Sequence, residues 1–253
     1  MNTNNYFLKQ IANFFFSENI YHKVKLYKII SDFKFGKPYE ISPILSHLIK
    51  DTDIILDIGA NMGQFACRFN GIVSDPGHVY SFEPVSFNYF CLIRMKKLLR
   101  LNNTTCYKYA ISDKDGLDSI KIPIFSHNLI VGTQSSLGIN EDWKNYREEN
   151  IVVRSIDSIV KELNIPKVDF IKSDTEGNEI NVLEGGYITI TTNLPTLYLE
   201  INFKNDHLKK YYDLGYIPFH YLNKKIERIK DFQKGDLFLI HTSKIKTIGV
   251  ITF

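Results

Sequence analysis

Three acidic side chains stand at or just past the ends of short apolar runs: Glu83 after His78–Phe82, Asp174 after Val168–Lys172, and Glu200 after Leu197–Leu199. A fourth, Asp57, lies inside the run Asp53–Ile58. Apolar runs of this length, bounded by turn residues, read as buried strands. A carboxylate at a strand edge can accept from sugar hydroxyls, take a proton from a substrate, or hold a divalent cation. Asp174 is the first candidate for a general base, with Glu176 and Glu200 as helpers. Asp174 and Glu200 are the ligands a divalent cation would take. The plain alternative is that Glu176 and Glu179 only favour a helix N-terminus through its dipole, and for Glu179 the two readings weigh equally. His127, in an irregular stretch, is a second candidate base, although a lone loop histidine is usually just solvated.

The segment Asp57-Ile58-Gly59-Ala60-Asn61-Met62-Gly63-Gln64-Phe65 follows the first run directly and opens a helical pattern. Gly59 permits a tight turn, Asn61 tolerates a left-handed backbone, and Gly63 permits close helix–strand packing. Glu83, in Phe82-Glu83-Pro84, falls about 20 residues later, where an acidic residue binds ribose hydroxyls in nucleotide-binding βαβ units; Pro84 stiffens that turn. A dinucleotide site would need GxGxxG to seat a pyrophosphate at the helix N-terminus. Here Asn61 and Gln64 replace two of those glycines, and Asp57 favours a cationic ligand. S-adenosylmethionine, with an ammonium, a sulfonium and no phosphate, suits these residues better than NAD. In Ala110-Ile111-Ser112-Asp113, Asp113 is placed to accept from an adenine amine and the Ile111 or Ser112 backbone to pair with ring nitrogens. The alternative is a simple turn, since Ser-Asp-Lys-Asp-Gly favours one. Ser173, beside Asp174, completes the cofactor set.

These residues need elements to position them. Strands are expected at Asp53–Ile58, His78–Phe82, Thr105–Ile111, Val168–Lys172 and Leu197–Ile201, with helices at Gln64–Phe69, Phe87–Leu101, Glu179–Gly185 and near Asp206–Leu214. This alternation argues for a doubly wound, mostly parallel α/β sheet. The late runs Tyr216–Tyr221 and Asp236–His241 are close enough to pair as an antiparallel hairpin. Residues 1–50 read as an N-terminal helical extension and 51–253 as the main domain. Ile122–Asn150 breaks the rhythm and reads as an acceptor-side lid or, equally, as a surface loop.

The net charge of +3 and dispersed lysines exclude a typical nucleic-acid binder. Three cysteines without CxxC spacing exclude a disulfide framework and suit a reducing, cytoplasmic setting. The apolar cluster Ile11–Phe16 is too short to span a bilayer. A homo-oligomer is compatible with this composition.

Asp57-Ile58-Gly59-Ala60-Asn61-Met62-Gly63, Phe82-Glu83-Pro84, Ser155-Ile156-Asp157-Ser158 and Phe170-Ile171-Lys172-Ser173-Asp174-Thr175-Glu176-Gly177-Asn178-Glu179, in this order, resemble the FkbM family of methyltransferases. The resemblance covers roughly residues 50–202 and extends to Val182-Leu183-Glu184-Gly185-Gly186 and Glu200. It implies a class I methyltransferase (Rossmann-like) fold ending in an antiparallel strand, S-adenosylmethionine as donor, and O-methylation of a sugar, glycan or small natural product. By position it makes Gly59, Asn61 and Gly63 the cofactor turn, Glu83 the ribose ligand, Asp113 the adenine-side residue and Asp174 the end of the fourth strand. Ser173 and Thr175 replace the family's usual aliphatics. The rival expectations are a nicotinamide-dependent sugar-modifying enzyme and a non-catalytic S-adenosylmethionine-binding protein.

Overall fold

A computed structural model of the chain describes residues 24, 26–32, 41–125, 129–130, 145–201, 205–222, 225–230 and 235–248. Helix α1 (Ser42–Leu48) leads into strand β1 (Ile54–Ile58), helix α2 (Gln64–Ile72), strand β2 (His78–Phe82), helix α3 (Ser86–Leu99) and strand β3 (Thr104–Tyr107). Four strands of a second sheet follow: β4 (Ala110–Ile111), β5 (Gly116–Phe125), β6 (Leu129–Ile130) and β7 (Tyr146–Arg154). The chain then rejoins the main sheet through α4 (Ile156–Glu162), β8 (Phe170–Ser173), α5 (Glu179–Gly185), α6 (Tyr187–Asn193) and β9 (Thr196–Ile201). It ends with α7 (Lys209–Asp213), β10 (Tyr216–Leu222), β11 (Lys225–Arg228), β12 (Gly235–His241) and α8 (Thr242–Ile248).

The main sheet has the order β11-β10-β12-β9-β8-β1-β2-β3. Strands β3, β2, β1, β8 and β9 run parallel. Strand β12 inserts antiparallel between β9 and β10. The expected late hairpin is present, with β11 as a further antiparallel edge. This is the class I, Rossmann-like arrangement. Its chain reverses at β1 and β8, which is where open α/β sheets bind ligands, outside the carboxyl ends of the strands.

Alternation along each strand sorts the core into two faces. Ile55, Phe170, Tyr198 and Phe238 pack with Leu45 of α1 and Phe69 of α2. Leu56, Ile171, Leu197 and Leu237 pack on the other face with Ile156, Val182, Ile190 and Tyr211. Helix α1, from the expected N-terminal extension, thus contributes directly to the core of the main sheet. Residues 1–23, with the Phe14–Phe16 cluster, lie outside the described residues.

Two expectations change. The third strand is not continuous to Ile111: β3 ends at Tyr107, and Ala110–Ile111 pairs instead with β7. The segment read as irregular from Ile122 is partly a long antiparallel ribbon, with Gly116 opposite Val153 and Pro123 opposite Tyr146. Its buried side, Ile120, Ile122, Ile151 and Val153, packs on Ala110 and on Val85, just past Glu83. The ribbon therefore sits against the carboxyl edge of β2. His127 and Trp143 lie outside the described residues.

Candidate active site

Three turns converge at the carboxyl ends of β1, β2 and β8. In the first, Gly59, Asn61 and Gly63 all take left-handed backbones, at φ +69, +51 and +95°. The Asn61 side chain accepts from the Met62 N–H at 2.8 Å, which suits asparagine to that conformation. Glu83 meets this turn: the Asn61 N–H donates to Glu83 Oε2 at 2.8 Å. Glu83 Oε1 accepts from the Val85 N–H at 2.9 Å and from Asn88 Nδ2 at 3.3 Å. A carboxylate offers about four lone-pair sites, so Oε2 retains one for a ligand hydroxyl. Burial pushes the Glu83 carboxyl up to about 7 against the pull of these donors. The third turn closes in through Gly59, where a Cβ would lie 1.9 Å from the Asp174 carbonyl oxygen.

Asp57 and Ser173 are set below this crevice rather than in it. Both are fully buried. Asp57 Oδ2 accepts from the Ser81 hydroxyl at 3.3 Å, and its Oδ1 lies 3.7 Å from Lys172 Nζ. Burial raises the Asp57 carboxyl, with Lys172 and Ser81 opposing. The Ser173 hydroxyl has no hydrogen-bond partner and points into the interior. Ala60 is buried and ties the turn to β2 through its N–H, which donates to the Phe82 carbonyl at 2.9 Å. Gln64 and Pro84 are half-buried at the openings of α2 and α3. The Phe65 ring covers Lys172 Nζ, 5.1 Å from its centroid, and leans on Tyr198.

Asp174, Glu176 and Glu200 come together, each offering an oxygen within 4.8 Å of the others. Glu176 has φ +56°, a strain of about 1–2 kcal/mol for a side chain with a Cβ. The turn is held by Glu179, which is fully buried. Its Oε1 accepts from the Thr175 N–H and hydroxyl, both at 2.8 Å, and from the Gly177 N–H at 3.2 Å. Glu179 is thus a clamp on the Asp174 turn, a role more specific than helix-dipole compensation. Asp174 and Glu200 share a hydrogen bond. That bond first, then burial and the Asp174 charge, pushes Glu200 up to about 8. Asp174 itself is held below the usual carboxylate range: burial works upward, but the Lys172 charge and the bonds from Glu200 and Lys172 prevail. The cluster can therefore accept a proton near neutral pH or hold a cation.

Two groups in this region are not among the site residues expected from the sequence. Asp236 lies directly opposite Glu200 across β9 and β12, and the Tyr198 hydroxyl bonds to it. Lys172 is 1% exposed and links the first and third turns. The adenine-side candidates sit apart from this cluster. Ser112 donates to Asp113 Oδ1 at 3.1 Å. Both line a cavity of about 440 Å³ with Gly177, Asn178 and Asn181. Asn178 ties the two walls together by donating to the Ile111 carbonyl at 2.9 Å.

Residues 57–232 match the Methyltransferase FkbM domain. The chain belongs to the FkbM methyltransferase family. Over 149 residues, 58% of the chain, it is 26% identical to the hexuronic acid methyltransferase AglP of Haloferax volcanii, a match spanning 55% of that protein. The methyltransferase FkbM structure from Methylobacillus flagellatus KT superposes with a TM-score of 0.53 at 19% identity, covering 80% of this chain and 48% of that one. The chain thus spans about half the length of the relatives it matches. FkbM membership weighs against the nicotinamide alternative, in line with the non-glycine positions Asn61 and Gln64. Among the described residues, no helix is long and apolar enough to cross a membrane.

Proposed function

We propose that this FkbM protein transfers a methyl group from S-adenosylmethionine to a hydroxyl of a neutral sugar, glycan or small natural product. The observation that carries the reading is the meeting of the Gly59–Gly63 turn with Glu83 on one side and Asp174 on the other. The donor set fits S-adenosylmethionine. Glu83 Oε2 keeps an acceptor site for a ribose hydroxyl, and the Ser112–Asp113 cavity gives adenine a polar wall. The carboxylates at the mouth complement a ligand carrying an ammonium and a sulfonium, and would repel a pyrophosphate.

When bound, S-adenosylmethionine supplies an already activated methyl group. The residues of this chain then have two tasks. Proximity and alignment come from the turn and from Glu83. Proton removal falls to the Asp174–Glu200 pair, because a sugar hydroxyl is a weak nucleophile near neutral pH. Asp174 is ionised, and Glu200 titrates close to operating pH, where a general base works best. The pair divides the role that residue types alone gave to Asp174. Glu176 and Asp236 add negative potential at the same edge, which favours a neutral acceptor over an anionic one unless a divalent cation intervenes. The likeness to AglP, a hexuronic acid methyltransferase, supports a sugar as acceptor, although an acidic one, which this edge would admit with a cation bound there.

The test is transfer of a labelled methyl group to a panel of neutral and acidic sugars, with titration of S-adenosylhomocysteine alongside. Asp174→Asn should abolish transfer while keeping S-adenosylhomocysteine affinity within a few-fold. Normal turnover by that variant would remove Asp174 from the mechanism. A chain that binds the nucleoside but methylates none of the panel would support a binding protein instead.

A further inference from the structure

Lysine is among the residues almost never fully buried unless paired. Lys172 nevertheless occupies β8 at 1% exposure, beneath the ring of Phe65. It belongs to a lateral row across the sheet, in which Ser81, Asp57, Lys172 and Tyr198 are consecutive partners on β2, β1, β8 and β9. Asp57 alone could be the reason for a cation there. The distances say otherwise. The shortest contacts of Lys172 Nζ are to two consecutive backbone carbonyls, Gly59 at 2.8 Å and Ile58 at 3.2 Å. Asp174 Oδ2 follows at 3.4 Å. Asp57 Oδ1 is farthest, at 3.7 Å, and has no hydrogen-bond partner. A pure counter-ion would approach the carboxylate and leave the carbonyls.

We propose that Lys172 is a positioning residue whose ammonium fixes the carbonyls of Ile58 and Gly59 and the carboxylate of Asp174 in one frame, so that the donor turn and the acceptor-side carboxylate hold a set separation. This rests on the donor and base assignments above. Donation to consecutive carbonyls orients both peptide planes where β1 becomes the turn, and Gly59, at φ +69°, has no Cβ to restrict that orientation. Asp57 neutralises the lysine from below, and Phe65 covers it with a ring face, which attracts a cation.

The experiment titrates S-adenosylhomocysteine calorimetrically into the wild type, Asp57→Asn, Lys172→Met and the double variant, and records each melting temperature without ligand. Methionine keeps the length of lysine but donates nothing. Lys172→Met leaves Asp57 buried and unpaired, so it melts early for a purely structural reason. The double variant removes both halves of the pair and recovers much of that loss. If Lys172 positions the turn, the double variant still binds S-adenosylhomocysteine at least tenfold more weakly than Asp57→Asn. If the double variant binds as Asp57→Asn does, Lys172 is only a counter-ion and the proposal fails. If Lys172→Met does not fold, the comparison between the double variant and Asp57→Asn decides alone. Absence of binding by the wild type would instead overturn the functional reading, and the proposal with it.

Discussion

Glu200 and Asp236 face each other directly across the antiparallel pair β9–β12. Like charges in that relationship oppose pairing, so the pair is stable when one member is neutral. Both carboxyls are raised, Asp236 chiefly by burial, and Glu200 to about 8 by its bond with Asp174 and by burial. A folded-state value above the unfolded one means extra protons bound in the native state. That stabilisation is complete below the unfolded value, 4.5, and disappears as pH rises through about 8. The melting temperature of the wild type, relative to Glu200→Gln, should therefore fall across this window. Parallel curves for the two proteins would exclude Glu200 as the titrating group.

A divalent cation is the other way to neutralise this edge, through the oxygens of Asp174, Glu176 and Glu200. Proton and cation compete for the same acceptors. Millimolar Mg²⁺ should raise the melting temperature more at pH 8 than at pH 6, and the Asp174→Asn/Glu200→Gln variant should lose the shift. An equal shift in that variant would place the ion elsewhere.

Glu83 predicts a second pH dependence, in ligand affinity. Its carboxyl is raised to about 7 by burial, and ribose hydroxyls bond best to the ionised form. S-adenosylhomocysteine affinity should weaken as pH drops below about 7. Glu83→Gln should bind weakly at every pH and lose about 1–3 kcal/mol of stability, because its amide must face the N–H groups of Asn61 or Val85. Calorimetric titration between pH 6 and 8, with denaturant unfolding, checks both effects.

Gly59→Ala should be among the most damaging single changes. A left-handed backbone costs alanine about 1–2 kcal/mol, and the new Cβ would fall 1.9 Å from the Asp174 carbonyl oxygen. Loss of nucleoside binding with a lowered melting temperature is expected. A variant of unchanged melting temperature and affinity would show that the turn does not pack on Asp174.

The five parallel strands and the glycine turn were legible because their signals are local: buried runs, a φ-permissive residue set, an acid at a strand end. The β5–β7 ribbon was not. Leu117 and Asp118 are exposed and Pro123 interrupts the apolar alternation, so the run resembles a loop until it is paired with residues about 30 positions away. Lys172 stood in plain view inside the Phe170–Asp174 motif, yet lysine on a strand normally reads as solvated. Its burial depends on Asp57 and Phe65, which only the fold brings beside it. Asp236 was hidden for a similar reason, since nothing local indicates that β12 enters between β9 and β10.

That insertion bears on how the protein comes into being. A chain emerging from the ribosome through β10 can form every parallel pairing, yet β10 has no place against β9 until β12 arrives to lie between them. The strand that completes the sheet also delivers Asp236 to the reaction edge. Nascent or C-terminally clipped molecules that lack β12 would therefore hold the Gly59–Gly63 turn before Asp236 stands opposite Glu200, so the acidic edge is the last part of the proposed site to be completed.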